Sequence, residues 1–304
     1  MKNKTNLMNL IKYSIIIPHK NSPNLLKRCI DSIPRRNDVQ IIIVDDNSDS
    51  NIVDFNNFPG LKENNIEIYF AKEDKGAGYA RNVGLKHAKG KWLLFADSDD
   101  YYDNNFLNII DENIKSDYDI IFYDIFSNDE GNCNRAKKIN NDYREYFKTN
   151  NLNIIKYKNW VPWNKIISHK FIEDNKLKFE EIPVGNDAMF SLNASLKAKQ
   201  VKVLPNKLYC VTYQPQSITH KRMTYERRFA YTKINIRINK FLQSINLDQY
   251  QTIVTSPNGI YQIYKEKGLK ATYLYLKYIY INFSIIKSLY IWIKNKRTKY
   301  NKIE

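Results

Sequence analysis

The sequence predicts an α/β protein: a domain built on a sheet flanked by helices, followed by a smaller helical region. Three observations carry this. From Tyr13 to about Tyr213, short β-branched runs alternate with helical patterns, the signature of a sheet flanked by helices. The strand-like runs are apolar without polar alternation, as in strands covered on both faces. Beyond about residue 220 they give way to long helical patterns rich in lysine and tyrosine. At 304 residues, with 43% apolar residues and only 9 Gly and 9 Pro, the chain is a folded protein with room for one sizeable core and an appendage.

The elements follow in order. "YSIIIP" (13–18) is a buried strand, and a helix begins just after it: Ser22 can cap, Pro23 fits the first helical position, and Leu25, Leu26, Cys29, Ile30 and Ile33 share a face. "VQIIIVDDNSDS" (39–50) is a second strand running into an acidic turn, and "IEIYF" (66–70) a third. A glycine-punctuated loop leads to a helix through "GYARNVGLKHAKG" (78–90), then to a fourth strand, "KWLLFA" (91–96). A helix capped by Asp103 precedes a fifth strand in "YDIIFYDIF" (118–126). Residues 127–150 are polar without clear periodicity and predict a mobile connection, whereas "IPVGNDAMFSLNASLKA" (182–198) starts a helix near Asp187.

Charge and cysteines narrow the function classes. The 48 basic and 32 acidic residues give a formal charge of +16, which suits an anionic partner: nucleic acid, an acidic membrane or a phosphorylated small molecule. The excess fits plain compositional bias equally well, in a chain full of Lys, Asn, Ile and Tyr. Cys29, Cys133 and Cys210 lie far apart without a CxxC, so neither a zinc site nor a disulfide framework is expected, and a reducing cytoplasm is the simplest home. "MKNKTNLMNLIKY" (1–13) lacks the apolar stretch and cleavage site of a signal peptide.

Two acidic turns point to chemistry. Asp45 with Asp46, and Asp97 with Asp99 and Asp100, fall where strands leave the sheet, and open α/β sheets bind ligands outside the carboxyl ends of their strands. Asp is also an ordinary turn residue, which suffices for "VDDNSDS" taken alone. In "WLLFADSDD" (92–100), however, three crowded carboxylates are hard to keep ionised without a cation. Oxygen donors of this kind suit Mg²⁺ or Mn²⁺ bridging to substrate phosphates.

The ordered set "SIIIPHKN", "IIIVDDNS", "GYARNVGLKHAKGKWLLFADSDD", "WNKII" and "GNDAMF", with a fainter "YQPQSIT" (213–219), resembles the family 2 glycosyltransferases over about two thirds of the chain. The resemblance implies a GT-A (Rossmann-like) fold with a mixed, mainly parallel sheet, an inverting transfer from a nucleotide-sugar donor, a UDP-sugar before others, and surface-polysaccharide biosynthesis. It places Pro18, Lys20, Asp46, Lys75, Arg81 and Asp97 at the donor, Asp99 at the Mn²⁺ or Mg²⁺ ion, and Asp187 as catalytic base. Asn186 departs from the family's Glu-Asp pair, His19 and Lys20 replace a small residue and an aromatic, and Asp74 stands where Asn is common. By itself His19 reads as a hydrogen-bonded structural histidine, and Asp187 as a helix-capping acid. Asn164 and Lys165 follow the family pattern without an assigned role, Trp163 reads as core, and Trp160 as either core or sugar platform.

The expected organisation is a GT-A domain over residues 10–220, with a nucleotide-binding half (10–127) and an acceptor half (128–220), then a helical basic region over 221–304. In that region Ile234, Ile238, Phe241 and Ile245, and then Leu274, Tyr278, Ile281, Ile285, Leu289 and Trp292, recur at helical spacing. Lys277 and Lys287 argue against a spanning helix. The helices either pack on the catalytic domain or lie on an anionic membrane at its inner face, which fits a glycan or lipid-linked acceptor. Two other classes stay open. A nucleotidyltransferase should show a glycine-rich loop after the first strand, where this chain has "PHKNSPNLL". A non-enzymatic membrane- or nucleic-acid-binding protein explains the charge but not the ordered acidic turns, so nucleic acid is not the expected partner.

Overall fold

The computed structural model of the chain describes residues 10–115, 117–129, 131–213 and 223–300, the last five by backbone alone. It divides into two compact units, residues 1–215 and 216–304. The sequence boundary at 220 and most of "YQPQSIT" lie outside the described residues.

The first unit is built on an eight-stranded sheet: β1 (Tyr13–His19), β2 (Val39–Asp46), β3 (Ile66–Ala71), β4 (Trp92–Phe95), β5 (Tyr101–Tyr102), β6 (Ile120–Ser127), β7 (Lys165–Ser168) and β8 (Val201–Val211). Their order is β3-β2-β1-β4-β7-β6-β8-β5. The block β3-β2-β1-β4 is parallel throughout, with Ile15 set between Ile41 and Leu94. β7 runs antiparallel to β4 and β6, β8 is parallel to β6, and β5 closes the edge antiparallel to β8. The sheet is thus mixed, as expected. Ile15, Ile17, Ile41, Ile43, Leu93 and Leu94 have no exposed surface, and each such side chain contributes roughly 1.5–3 kcal/mol of burial.

Helices α1 (Pro23–Asp31), α2 (Ala77–His87), α3 (Phe106–Asn113), α4 (Asn134–Thr149), α5 (Leu152–Lys158), α6 (His169–Asp174) and α7 (Ala188–Lys197) connect the strands. Three local expectations need correction. Residues 134–149 form a helix, not a loose connection: Ala136, Ile139 and Tyr143, at i, i+3 and i+7, bury one narrow stripe that the surrounding Asn, Lys and Arg hide in sequence. Asp103 does not cap α3; its carboxylate accepts from the Asn105 amide at 2.9 Å, a turn one step before the Asn105 cap. Ser22 holds the cap position of α1 without a capping bond, and its hydroxyl lies 3.3 Å from that of Ser98. The two-residue β5 and four-residue β7 are too short to read from periodicity.

The second unit comprises α8 (Tyr225–Ser244), α9 (Pro257–Asn282) and α10 (Ile285–Tyr300). Gly268, at φ 77°, breaks α9 with a backbone that residues bearing a Cβ rarely adopt. Ile234 and Ile238 are buried as expected, but Leu242 fills the next inward position, Phe241 is half-buried and Ile245 lies past the helix end. The stripe expected over the last helices is shifted. Leu274 and Ile281 are 48% and 66% exposed, while Tyr275 and Ile279 are buried with Ile236, Val254 and Ile263. Tyr275 can go inside because its hydroxyl bonds Thr232 and Thr255, at 2.8 and 2.9 Å. Among the described residues no helix is long and apolar enough to cross a membrane.

Candidate active site at the carboxyl edge of the sheet

The carboxyl ends of β1, β2 and β4 lie side by side, and the predicted donor residues collect there. Pro18 is buried beside Val44 at the end of β1. His19 Nδ1 meets Asp45 Oδ2 at 2.7 Å, and its Nε2 accepts from the Ser22 amide at 3.1 Å. That amide contact makes Nδ1 the protonated nitrogen. Asp45 also accepts from the Ser48 amide at 2.9 Å and the Ser48 hydroxyl at 2.5 Å. Burial pushes the Asp45 carboxyl up, but the bonds from His19 and Ser48 win and hold it below the usual range. His19 is therefore a structural residue that fixes the β2 turn.

Asp46 is 3% exposed, and its two oxygens accept from the amides of Lys75 and Gly76 at 3.1 and 2.8 Å. It thereby pins the loop before α2 to the end of β2. Lys20 pairs with Asp74 and sits 4.0 Å from Asp46, while Lys75 reaches over the Tyr79 ring. Asp74 replaces the more common Asn and gives Lys20 its partner.

The "ADSDD" turn after β4 differs. Donor atoms of Asp97, Asp99 and Asp100 lie within 4.8 Å of one another. Asp100 is a structural member, buried and accepting the Thr212 amide at 2.8 Å. Asp97 accepts from Arg81 Nη2 at 2.6 Å. Burial and the neighbouring carboxylates raise Asp99 above the usual carboxylate range, and Asp100 well above it. Arg28, which the sequence did not single out, braces the turn by donating to the Asp99 carbonyl at 2.5 Å and to the Thr212 hydroxyl at 2.9 Å. With Asp97 occupied by Arg81 and Asp100 by the Thr212 amide, Asp99 is the carboxylate of this cluster whose chemistry fits a Mg²⁺ or Mn²⁺ ion.

Arg81 joins this turn to Asp187. It is 4% exposed, stacks its guanidinium on Phe179, and donates to both Asp97 and Asn186, the latter at 2.8 Å. Gly78 makes the approach possible: a Cβ there would stand 2.0 Å from the Glu180 carbonyl, so only glycine lets α2 dock against the 180–186 loop. Asp187 occupies the cap position of α7 but makes no capping bond, which sets aside its reading as a helix cap. Burial raises its carboxyl above the ordinary range; Arg81 and Arg135 pull it down and Asp97 pushes it up.

Two further residues belong to this neighbourhood. Lys165 is fully buried, bonds the Val161 carbonyl and faces the Phe122 ring; desolvation lowers it to about 7, with Asp187 the anion that opposes this. Arg135, over the Trp163 ring at the start of α4, sends its field to Asp99 and Asp187. The misread segment concealed it. Trp163 is core, stacked on Tyr209, and Trp160 is half-buried with its indole N–H on the Tyr157 carbonyl.

Comparison with known proteins places this site. The poly(ribitol-phosphate) beta-glucosyltransferase of Bacillus spizizenii is 30% identical over 207 residues, 64% of this chain and 31% of that relative, so the match spans under a third of the relative's length. A crystal structure of Staphylococcus aureus TarS 1–349 in complex with UDP-GlcNAc shares the fold, with TM-score 0.60 and 23% identity over 80% of this chain and 71% of that one. So does the mannosyltransferase PcManGT of Pyrobaculum calidifontis in complex with GDP-Man and Mn²⁺, with TM-score 0.55 and 13% identity over 90% of this chain and 76% of that one. The fold is therefore GT-A. Residues 14–175, more than half of the chain and all but the first residue of the run from β1 through α6, match the sequence model of glycosyl transferase family 2, and the chain belongs to that family.

Proposed function

We propose that the protein is an inverting, divalent-metal-dependent glycosyltransferase. It moves a sugar from a nucleotide-sugar donor to a hydroxyl of a glycan or lipid-linked acceptor, at the inner face of the cell membrane, in the building of a surface polysaccharide. A UDP-sugar is the preferred donor, in keeping with the UDP-GlcNAc bound by TarS. In this reading residues 10–127 hold the nucleotide, 128–220 the acceptor, and 221–304 form the basic helical region.

The observation that carries the reading is Asp187. A carboxylate at a helix start that makes no capping bond, held near Arg81 and raised in proton affinity, is matched to receive a proton. Asp187 takes the proton of the acceptor hydroxyl as that oxygen bonds to the anomeric carbon. The bond from that carbon to the diphosphate oxygen breaks on the opposite side, which inverts the configuration. Asp46 and the Lys75–Gly76 backbone frame the nucleoside, with Pro18 and Lys20 at its floor and rim. Arg81 and Asp97 orient the sugar end, and Asp99 holds the ion. A bound divalent cation supplies positive charge for the departing diphosphate.

A thermal-shift panel of nucleotide sugars, with and without Mn²⁺, tests the class and names the donor together. A metal-dependent rise with one sugar nucleotide is expected. No response to any of them, or an equal response to nucleic acid, sinks the proposal.

A further inference from the structure

Within the second unit, the helix face that the sequence misplaced is left uncovered by the other helices, and its chemistry is specific. Beyond the Gly268 break, Leu269, Tyr273, Lys277 and Tyr280 recur at i, i+4, i+8 and i+11 along one side of α9, flanked by Lys270, Leu274 and Ile281. Leu269 is 75% exposed and Tyr280 73%. A solvent-facing helix side ordinarily carries charges of both signs; this one pairs large apolar and aromatic groups with lysines and has no carboxylate. Helix α10 repeats the pattern with Ile286, Tyr290 and Ile293, all exposed, at i, i+4 and i+7. From Leu269 to Ile303 the sequence holds eight lysines or arginines and no acidic residue. Glu266, the carboxylate just before it, accepts from the Tyr225 amide, and Glu226 of α8 pairs with Lys267.

We infer that this face docks on the headgroup layer of an anionic lipid bilayer. Tyrosine suits that depth, with its ring among the upper acyl chains and its hydroxyl among the headgroups. The lysine stems lie along apolar surface while their ammonium groups reach the phosphates. A second copy of the chain fits less well. A two-fold contact through this face would set Lys270 and Lys277 against the same lysines with no carboxylate between them. The surface lies wholly within the second unit and needs no assumption about sugar transfer.

Co-sedimentation of the full chain with vesicles tests it. Binding to phosphatidylcholine vesicles containing phosphatidylglycerol should exceed binding to pure phosphatidylcholine by about tenfold or more and weaken with salt. The pair K270E/K277E should erase that difference, and Y280S/I281S should lower binding to both vesicle types by about tenfold. All four side chains are exposed, so circular dichroism should match the parent; if a variant fails to fold, the parent's lipid preference decides alone. Equal binding of the parent to both vesicles, or no binding to either, overturns the inference. So does a concentration-dependent dimer in sedimentation that Y280S/I281S dissolves while vesicle binding persists. Donor-induced thermal shifts in the same variants read the catalytic site separately and should be unchanged.

Discussion

The turn after β2 and the turn after β4 carry similar strings of aspartates on either side of β1, yet they are electrostatic opposites. Asp45 accepts three hydrogen bonds, from His19 and from the Ser48 amide and hydroxyl, and Asp46 accepts two backbone amides. In the second turn Asp97 has Arg81, Asp100 has the Thr212 amide, and among the described residues Asp99 accepts from nothing beyond its own backbone. The result is a lowered proton affinity at Asp45 and raised ones at Asp99 and Asp100. The first turn is finished architecture, its carboxylates already satisfied by hydrogen bonds. The second holds repulsion that an added cation would relieve, and Asp187 stands in the same field through Arg81 and Asp97.

The largest test of that contrast is Asp187→Asn. Turnover should fall by about 10²–10⁴-fold, the usual contribution of a general base. Donor affinity and melting temperature should stay near the parent's, because the side chain caps nothing. Full turnover in this variant would remove Asp187 from the mechanism.

Asp45→Asn should do the reverse. The Ser22 amide fixes His19 with its hydrogen on Nδ1, so Asp45 faces N–H groups from His19 and Ser48 together. An asparagine must turn an NH₂ group toward one of them, leaving a buried donor unpaired at a cost of about 1–3 kcal/mol. A drop in denaturant midpoint, with turnover per folded molecule largely retained, is the expected result. An unchanged midpoint would show that this turn is no more rigid than the other.

How much of this was legible follows from range of interaction. The strands of the parallel block and the acidic turns are local signals: apolar runs ending in aspartates mark the carboxyl edge of a sheet wherever they occur. The state of each aspartate is not local. Asp45 is satisfied by His19 from another strand, and Asp97 by Arg81 from a helix 16 residues upstream. Helix α4 escaped because three buried apolar residues in 16 give a weak periodic signal, and with it Arg135 was missed. The last helices were misregistered because Ile, Leu and Tyr occur on both faces of α9, and only the hydroxyl partners of Tyr275 decide which face turns inward.

Asp99→Asn should change stability in the opposite direction from Asp45→Asn. Without metal, removing one crowded charge should raise stability by up to about 1 kcal/mol near neutral pH, and the thermal shift induced by Mn²⁺ should vanish. The pH signs differ as well. A carboxyl whose folded proton affinity is lowered, such as Asp45, stabilises above its unfolded value near about 4 and loses that contribution as pH falls through its folded value. Asp99 and Asp100 are raised, so their contribution is present below about 4 and lost as pH rises through their folded values. Melting curves across that range, run with a chelator, should show the loss on the alkaline side shrink in Asp99→Asn and the loss on the acid side shrink in Asp45→Asn.

The smallest expected effect concerns Asn186. Its carbonyl oxygen accepts from Arg81, the cation that also serves Asp97 and lowers the proton affinity of Asp187. A glutamate there, as in the family pair, would place a second full negative charge on Arg81 and beside Asp187. The guanidinium field would then be shared among two carboxylates before reaching the base, and like charge disfavours ionisation. Asn186→Glu should therefore move the acid limb of the kcat profile upward by up to about one pH unit, with little change in the plateau. Lys165→Met should shift the limb the same way, since it removes the buried cation whose principal counter-charge is Asp187. If Asn186→Glu moves the limb downward instead, Arg81 does not transmit charge between the turn after β4 and Asp187, and the two halves of the second region act independently.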